Sequence, residues 1–402
     1  MSTFSTAEID RFRTETPGTR KLIHLNNAGA ALMPTPVKEA FDQYLVSEME
    51  YGGYETAALQ KAGLDSFYTQ IAQLLNTHEN QIAFAYNATD AYNKALSSIP
   101  FEKGDVILTS LNDYVSNQIA FLQLRKLKGI AIVYAQDLPT GGLDTADMIR
   151  KMEQHRPKLV AVTHVPTNSG LIQDVATIGQ ACRERDILYL VDACQSVGQL
   201  VVDVQEIACD FLSATTRKFL RGPRGTGFLY ISEKVLTRGY SPLFLDLHSA
   251  FWSAEDQFEI RQDAKRFELW EKPYAFMLGA AEAAAYANEI GMQRIETRVK
   301  ELAQYLRQGL SDIPSIKVLD KGEEKAAIVT LYIPGHEPIA LQEKLRLAGI
   351  NSSHTTWEYN RFDMGAKKAP WILRLSPHYY NTREELTTTL STLERIVAGQ
   401  KI

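Results

Sequence analysis

The sequence predicts an α/β protein: a large domain built on a mostly parallel sheet, followed by a smaller α+β C-terminal domain. Strand-length apolar runs alternate with helical patterns through the middle of the chain, and that rhythm changes after Ile231. The 402 residues also exceed the ~100–200 of a usual single domain. Taken in order, the strand runs are Val106–Thr109, Ile130–Tyr134, Leu159–Thr163, Ile187–Val191, Phe211–Ala214 and Gly227–Ile231. Between them, Val115–Lys128, Thr145–Gln154 and Val175–Arg185 place apolar residues at three- and four-residue spacing, the period of an amphipathic helix. Such alternation gives a parallel sheet covered on both faces. A polar, aromatic-rich stretch from Tyr240 to Trp270 then leads into an Ala-rich helical pattern from Tyr274 to about Leu310. The remainder holds strand runs at Ile328–Ile333 and Trp371–Ser376 and helical patterns at Ile339–Ala348 and Thr382–Ala398. The expected division is an N-terminal arm (1–20), a large domain (21–270), and a bridging helix with a small domain (271–402).

Composition removes several classes of function. Lys and Arg number 43 against 48 Asp and Glu, a net charge of −5, and no basic run marks a nucleic-acid binder. No apolar stretch approaches the ~20 residues of a membrane span; the best candidate, Ala275 to Ala287, is short and carries Glu282. The first residues lack the apolar core of a secretory signal. Cys182, Cys194 and Cys209 are odd in number and show no C-x-x-C spacing, which disfavours a disulfide framework or a thiolate zinc site. A cytoplasmic protein with no membrane or nucleic-acid partner is expected.

Ligands of such sheets sit beyond the carboxyl ends of the strands, so the polar residues after the apolar runs matter most. Asp192 ends the run Ile187–Val191 and offers a carboxylate for a cation or a protonated ring nitrogen; a helix cap is the plainer alternative. Lys218 follows Phe211–Ala214, with Arg217, Arg221 and Arg224 close in sequence. Desolvation and cationic neighbours both disfavour an ammonium, freeing the amine as a nucleophile. Asn87-Ala88-Thr89 opens a helical pattern after Ala83–Tyr86 and offers free N–H groups to an anion, or simply a cap. Tyr114 gives an aromatic face at the same edge. An amine, a ring-nitrogen partner, an anion cradle and a stacking ring together are the requirements of pyridoxal 5'-phosphate.

At these residues the chain resembles the class V aminotransferase group of fold-type I pyridoxal-phosphate enzymes, which includes cysteine desulfurases, isopenicillin N epimerase-like proteins and C–S lyases. The resemblance rests on DACQSVGQ at 192–199, RKFLRGPRGTG at 217–227 and RLSPHYYNTREEL at 374–386, and runs from about Leu22 to the C-terminal helix. It implies that Lys218 forms the Schiff base, Asp192 pairs with the pyridine nitrogen and Gln195 contacts the ring's phenolic oxygen. Ala88, Thr89 and Thr215 would bind the phosphate, and Tyr114 would stack on the ring. Thr167 falls where relatives place an asparagine near the phenolic oxygen, with Asn168 one position on. Arg374 matches the arginine that pairs with the substrate α-carboxylate. A homodimer is implied as well.

Departures sharpen the functional expectation. Arg217 stands where many relatives carry a histidine and should strengthen the cationic field around the phosphate. Phe267-Glu268 is followed by Leu269-Trp270 rather than the Gly-Thr that relatives often lend to the partner subunit. No cysteine follows Cys209, although desulfurases place a mobile thiolate upstream of the carboxylate-binding arginine; here that stretch runs from Ser352 to Arg361. Cys194 reads as small-residue packing. His164 reads as a buried, satisfied histidine, while Trp357 and Arg361 are candidates for substrate contact. Segments 47–63 and 266–271 resemble the C–S lyase of the ergothioneine pathway. The expected reaction is therefore β-elimination from a cysteine S-conjugate or sulfoxide, with transamination or epimerisation as the alternative. A dinucleotide site at GPRGTG fails because its glycines precede a strand, and His78-Glu79 and His336-Glu337 lack the second histidine of a zincin.

Overall fold

The computed structural model describes residues 4–400. Seven strands form the main sheet: β1 (Ile82–Ala85), β2 (Val106–Ser110), β3 (Ala131–Ala135), β4 (Leu159–Thr163), β5 (Leu188–Asp192), β6 (Phe211–Thr215) and β7 (Gly227–Ile231). Their spatial order is β1-β7-β6-β5-β4-β2-β3, and β7 alone is reversed, antiparallel to β1 and to β6. Every residue of β4, β5 and β6 is buried, as helices on both faces require of a parallel sheet. Alternate residues enter two different cores. Leu188 and Leu190 of β5 pack with Phe121 and Phe211 on one side, whereas Tyr189 and Val191 join Ile178 and Leu212 on the other. The α/β architecture is the one expected from the alternating runs.

A second, four-stranded antiparallel sheet has the order Lys317–Val318, Val329–Tyr332, Trp371–Leu375, Ser353–Thr356. The chain start is drawn against this part of the molecule: Ile23–His24 pairs in parallel with Ile350–Asn351, and Asn26 bridges to Ser376. The helix Thr6–Thr14 buries Phe12, which meets Tyr379 edge-on with centroids 5.2 Å apart.

Two elements differ from the sequence expectation. The helical pattern from Tyr274 is two helices, Tyr274–Ile290 and Met292–Ser311, parted at Gly291. There φ is +90°, a conformation that favours glycine and stops the first helix. The aromatic-rich stretch contains a β-hairpin, Ala250–Ala254 with Gln257–Ile260, whose residues are almost all exposed. Among the described residues no helix is long and apolar enough to cross a membrane.

Candidate active site

Strand register brings the expected residues to one edge. Thr163 at the end of β4 pairs with Asp192 at the end of β5, and Asp192 pairs with Ser213 of β6. Three residues beyond Thr215 the chain turns, Arg221 N–H donating to the Lys218 carbonyl at 2.9 Å. Two glycines lock the neighbouring segments onto this turn. At Gly198 φ is +90°, and a Cβ would come within 2.2 Å of the Leu220 nitrogen, so the Asp192–Gln199 segment lies directly on the backbone after Lys218. At Gly227 a Cβ would fall 2.6 Å from the Ala214 carbonyl oxygen and 2.9 Å from the Asn87 carbonyl carbon. That close approach seats the Asn87–Thr89 turn beside β6.

These segments enclose a cavity of about 220 Å³ bordered by Ala88, Thr89, Tyr114, Thr167, Asp192, Gln195, Thr215 and Lys218, with Asn168 and Cys194 also on its wall. A second chamber of about 350 Å³ shares Tyr114, Thr167, Gln195, Arg217 and Lys218 and adds Gly29, His354 and Arg374. Every residue that the family resemblance assigned to the cofactor or to the substrate α-carboxylate thus borders one chamber or both.

One wall is acidic and fully hydrogen-bonded. Asp192 accepts from Asn117 Nδ2 at 3.1 Å and from the Cys194 N–H at 3.0 Å. Behind it, Asp113 accepts from Thr163 Oγ1 (2.6 Å), the Tyr114 N–H (2.7 Å), Asn117 Nδ2 (2.9 Å) and Thr109 Oγ1 (3.0 Å). Burial nevertheless pushes the Asp113 pKa up to about 6, and the Asp192 carboxylate pushes in the same direction. The sequence reading valued only Tyr114 here and missed Asp113 and Asn117. Their signal was present: an Asp just before the helix Val115–Lys128 and an Asn in its first turn.

The second chamber is cationic. Desolvation lowers the Lys218 pKa. Cys194 and Asp192 pull it back up, and the guanidiniums of Arg217 and Arg374 push it further down. Arg374, on the strand Trp371–Leu375, donates from Nε to Ser353 Oγ at 3.1 Å and from Nη1 to Thr167 Oγ1. Burial, with Arg217 adding to it, lowers its pKa to about 10. Of the three arginines near Lys218 in sequence, only Arg217 acts on the amine. Arg224 is exposed. Arg221 is buried at φ +65° and donates to Thr16 Oγ1, the Leu32 carbonyl and Tyr379 Oη, with its guanidinium 4.7 Å from the Tyr380 ring. Its role is structural.

Other expectations resolve individually. Thr167 Oγ1 accepts from both Gln195 Nε2 (3.1 Å) and Arg374, so it links the two chambers. Cys194 does not merely pack; it borders the first chamber, and burial pushes its thiol pKa up. His164 is buried but unsatisfied, its Nδ1 without a partner, and it borders neither chamber. Arg361 lies over the Trp357 ring at 4.1 Å; neither residue borders the chambers, whereas Tyr359 borders both. His354 is held by Gln342, whose Oε1 lies 2.6 Å from Nδ1.

The first chamber fits pyridoxal 5'-phosphate in its unfinished polar groups. Gln195 Oε1 and both ends of the buried Asn168 amide have no partner. The helix Ala88–Ser98 begins at the chamber wall with only the Asp90 N–H capped, by Asn87, which leaves N–H groups for a phosphate.

Comparison with known proteins agrees with this geometry. The family described as Aminotransferase class-V matches residues 23–388. A probable cysteine desulfurase of Pyrococcus abyssi is 28% identical over 96% of both chains. The apo structure of a cysteine desulfurase from Thermococcus onnurineus superposes with a TM-score of 0.90 at 25% identity, covering 99% of this chain and 100% of that one. The cystine C–S lyase C-DES, solved with its product cysteine persulfide, gives 0.85 at 22% identity over 94% and 99% of the two chains and shares the fold. The chain belongs to the aminotransferase class V family of enzymes, whose cofactor is pyridoxal 5'-phosphate.

Proposed function

We propose that this enzyme is a C–S β-lyase acting on a cysteine S-conjugate or cysteine sulfoxide, and that it works without a catalytic cysteine. One observation carries the reading. The segment where desulfurases hold their thiolate is here the strand Ser353–Thr356 and the turn Trp357–Tyr359, which contain no sulfur nucleophile. The C-DES fold likeness is consistent with C–S cleavage on this scaffold.

In this reading Ala88, Thr89 and Thr215 hold the cofactor phosphate, Tyr114 covers the ring, and Gln195 with Thr167 faces its phenolic oxygen. Asp192, fixed by Asn117, keeps a proton on the ring nitrogen. When bound, the pyridoxal ring supplies an electron sink for the charge left at the substrate α-carbon. Arg374 binds the α-carboxylate. Lys218, whose burial favours the neutral amine, would hold the cofactor and is placed to take the α-proton of the substrate. For an S-conjugate, loss of the β-sulfur as thiolate and addition of water would give thiol, pyruvate and ammonium; a sulfoxide would release a sulfenic acid in place of the thiol. A cytoplasmic homodimer belongs to the same proposal, supported by exposed apolar side chains on the hairpin and near it, among them Trp252 and Phe244, 74% and 83% exposed.

Incubation of the holoenzyme with a cysteine S-conjugate tests the reaction. Equal pyruvate and ammonia without added keto acid is the expected result. Conversion of the cofactor to its pyridoxamine form with neither product would assign transamination, and loss of α-chirality alone would assign epimerisation.

A further inference from the structure

A third cavity, of about 310 Å³, lies beyond the end of β4 and shares no bordering residue with the two chambers. His164 and Gln173 border it, 7% and 2% exposed, and each presents a polar atom that the protein leaves unpaired. Gln173 spends Nε2 on the Thr163 carbonyl at 2.5 Å, and its Oε1 has no partner. The His164 backbone is fixed, its N–H donating to the Asp192 carbonyl and its carbonyl accepting from the Gln173 N–H, both at 2.9 Å. Its Nδ1 has no partner. Burial, with Lys300 adding to it, outweighs the pull of Glu296 and Asp174 and lowers the His164 pKa to about 4. The ring is therefore neutral at pH 7, and a neutral imidazole can offer Nδ1 as an acceptor.

The rim is acidic. Asp174, Asp203, Glu206 and Glu324 border the cavity, and no Lys or Arg does. Lys300 stands 3.6 Å from Glu324 but is held at 2.8 Å by Glu296. Asp174 caps one helix, accepting from the Thr177 N–H at 3.0 Å. Asp203 accepts from the Gln205 N–H and from Asn76 Nδ2, both at 2.8 Å. Among the described residues no cation pairs with Asp174, Asp203 or Glu206. Val175 and Ile207 add buried apolar surface. Two buried acceptors, carboxylates around them and an apolar wall suit a ligand that is positively charged, rich in N–H donors and partly aliphatic.

The geometry points to a binding site, separate from the catalytic chambers, for a small organic cation: an ammonium or amidinium on a short apolar stem. Its N–H groups donate to Gln173 Oε1 and His164 Nδ1, the acidic rim answers its charge, and the stem covers Val175 and Ile207.

Calorimetric titration of the holoenzyme with butyramidinium and with its neutral isostere butyramide tests the site. An amidinium is already protonated at pH 7 and does not condense with an aldehyde, so binding is read apart from chemistry at Lys218. One butyramidinium per chain should bind, at least about tenfold more tightly than butyramide, as charged hydrogen bonds require. His164→Phe removes one acceptor and should weaken butyramidinium about tenfold. The double variant Glu206→Gln with Asp174→Asn removes two exposed charges while asparagine keeps the helix cap, and should weaken it about fivefold. Equal binding of the two probes, or no binding of butyramidinium, overturns the inference. So does full affinity in either variant, which would seat the cation elsewhere. Should His164→Phe fail to fold, the double variant decides alone.

Discussion

The acidic side of the first chamber and the cationic side of the second are built in opposite ways. Asp113 and Asp192 are buried, yet hydrogen bonds from Thr109, Thr163, Asn117 and backbone N–H groups meet their oxygens. Arg217 and Arg374 find only neutral oxygens. Polar groups that the protein itself satisfies stay fixed whether or not ligand is present, which is how charge is preorganised for catalysis. Cations left without a counter-charge cost the fold stability until ligand supplies it. In the proposed function, the acid side would serve the cofactor and Arg374 the substrate that comes and goes.

Each wall can be broken separately. Lys218→Ala should remove turnover altogether and abolish the visible absorption of the bound cofactor; persistence of that absorption would place the lysine outside the chemistry. Asp192→Asn attacks the acid wall and should lower kcat on the order of 10²–10³-fold, with the ring's absorption shifted and substrate affinity little changed. On the cation side, Arg374→Ala should raise KM about 10–100-fold and leave the cofactor spectrum intact, so a change confined to kcat would contradict the division of labour.

Asp113 sharpens the comparison through pH. Its folded pKa of about 6 lies above the ordinary 3.8, so between those values the folded state binds more protons than the unfolded one. Stability from this group is therefore full below pH 4 and lost as pH rises through 6, a change on the order of 3 kcal/mol. Denaturant titrations at pH 5 and pH 8 should show a smaller difference between the two pH values in Asp113→Asn than in the unaltered protein. The smallest effect is expected at Cys194, whose buried thiol is a poor nucleophile. Cys194→Ala should keep pyruvate release within about twofold, whereas its abolition would revive sulfur carriage by this residue.

The parts that sequence revealed are those with a periodic or local physical signature. Uninterrupted apolar runs marked β4 to β7, because a strand buried on both faces admits little else. The residues that end β5 and β6 could then be placed at one edge by topology alone. The partnership of Asp113, Asn117 and Asp192 is formed through space between three elements, and no single segment displays it. Arg221 and Arg217 stand four positions apart and look alike in sequence. One is directed among tyrosines by a left-handed backbone, whereas the other borders both chambers, a distinction made by tertiary packing. The Ser353–Thr356 strand escaped notice because Ser, His and Thr on an edge strand lack the apolar signature by which strands are recognised.

The environment of Arg221 has a consequence for biosynthesis. That residue grips Thr16 and Leu32 near the beginning of the chain and Tyr379 and Tyr380 near its end, and it sits three positions after Lys218. A nascent polypeptide still short of those tyrosines has the lysine but not the clasp that settles its turn. Retention of vitamin B6 should therefore begin only once the segment carrying Tyr379 and Tyr380 has been made and packed on Arg221, which couples cofactor capture to closure of that clasp.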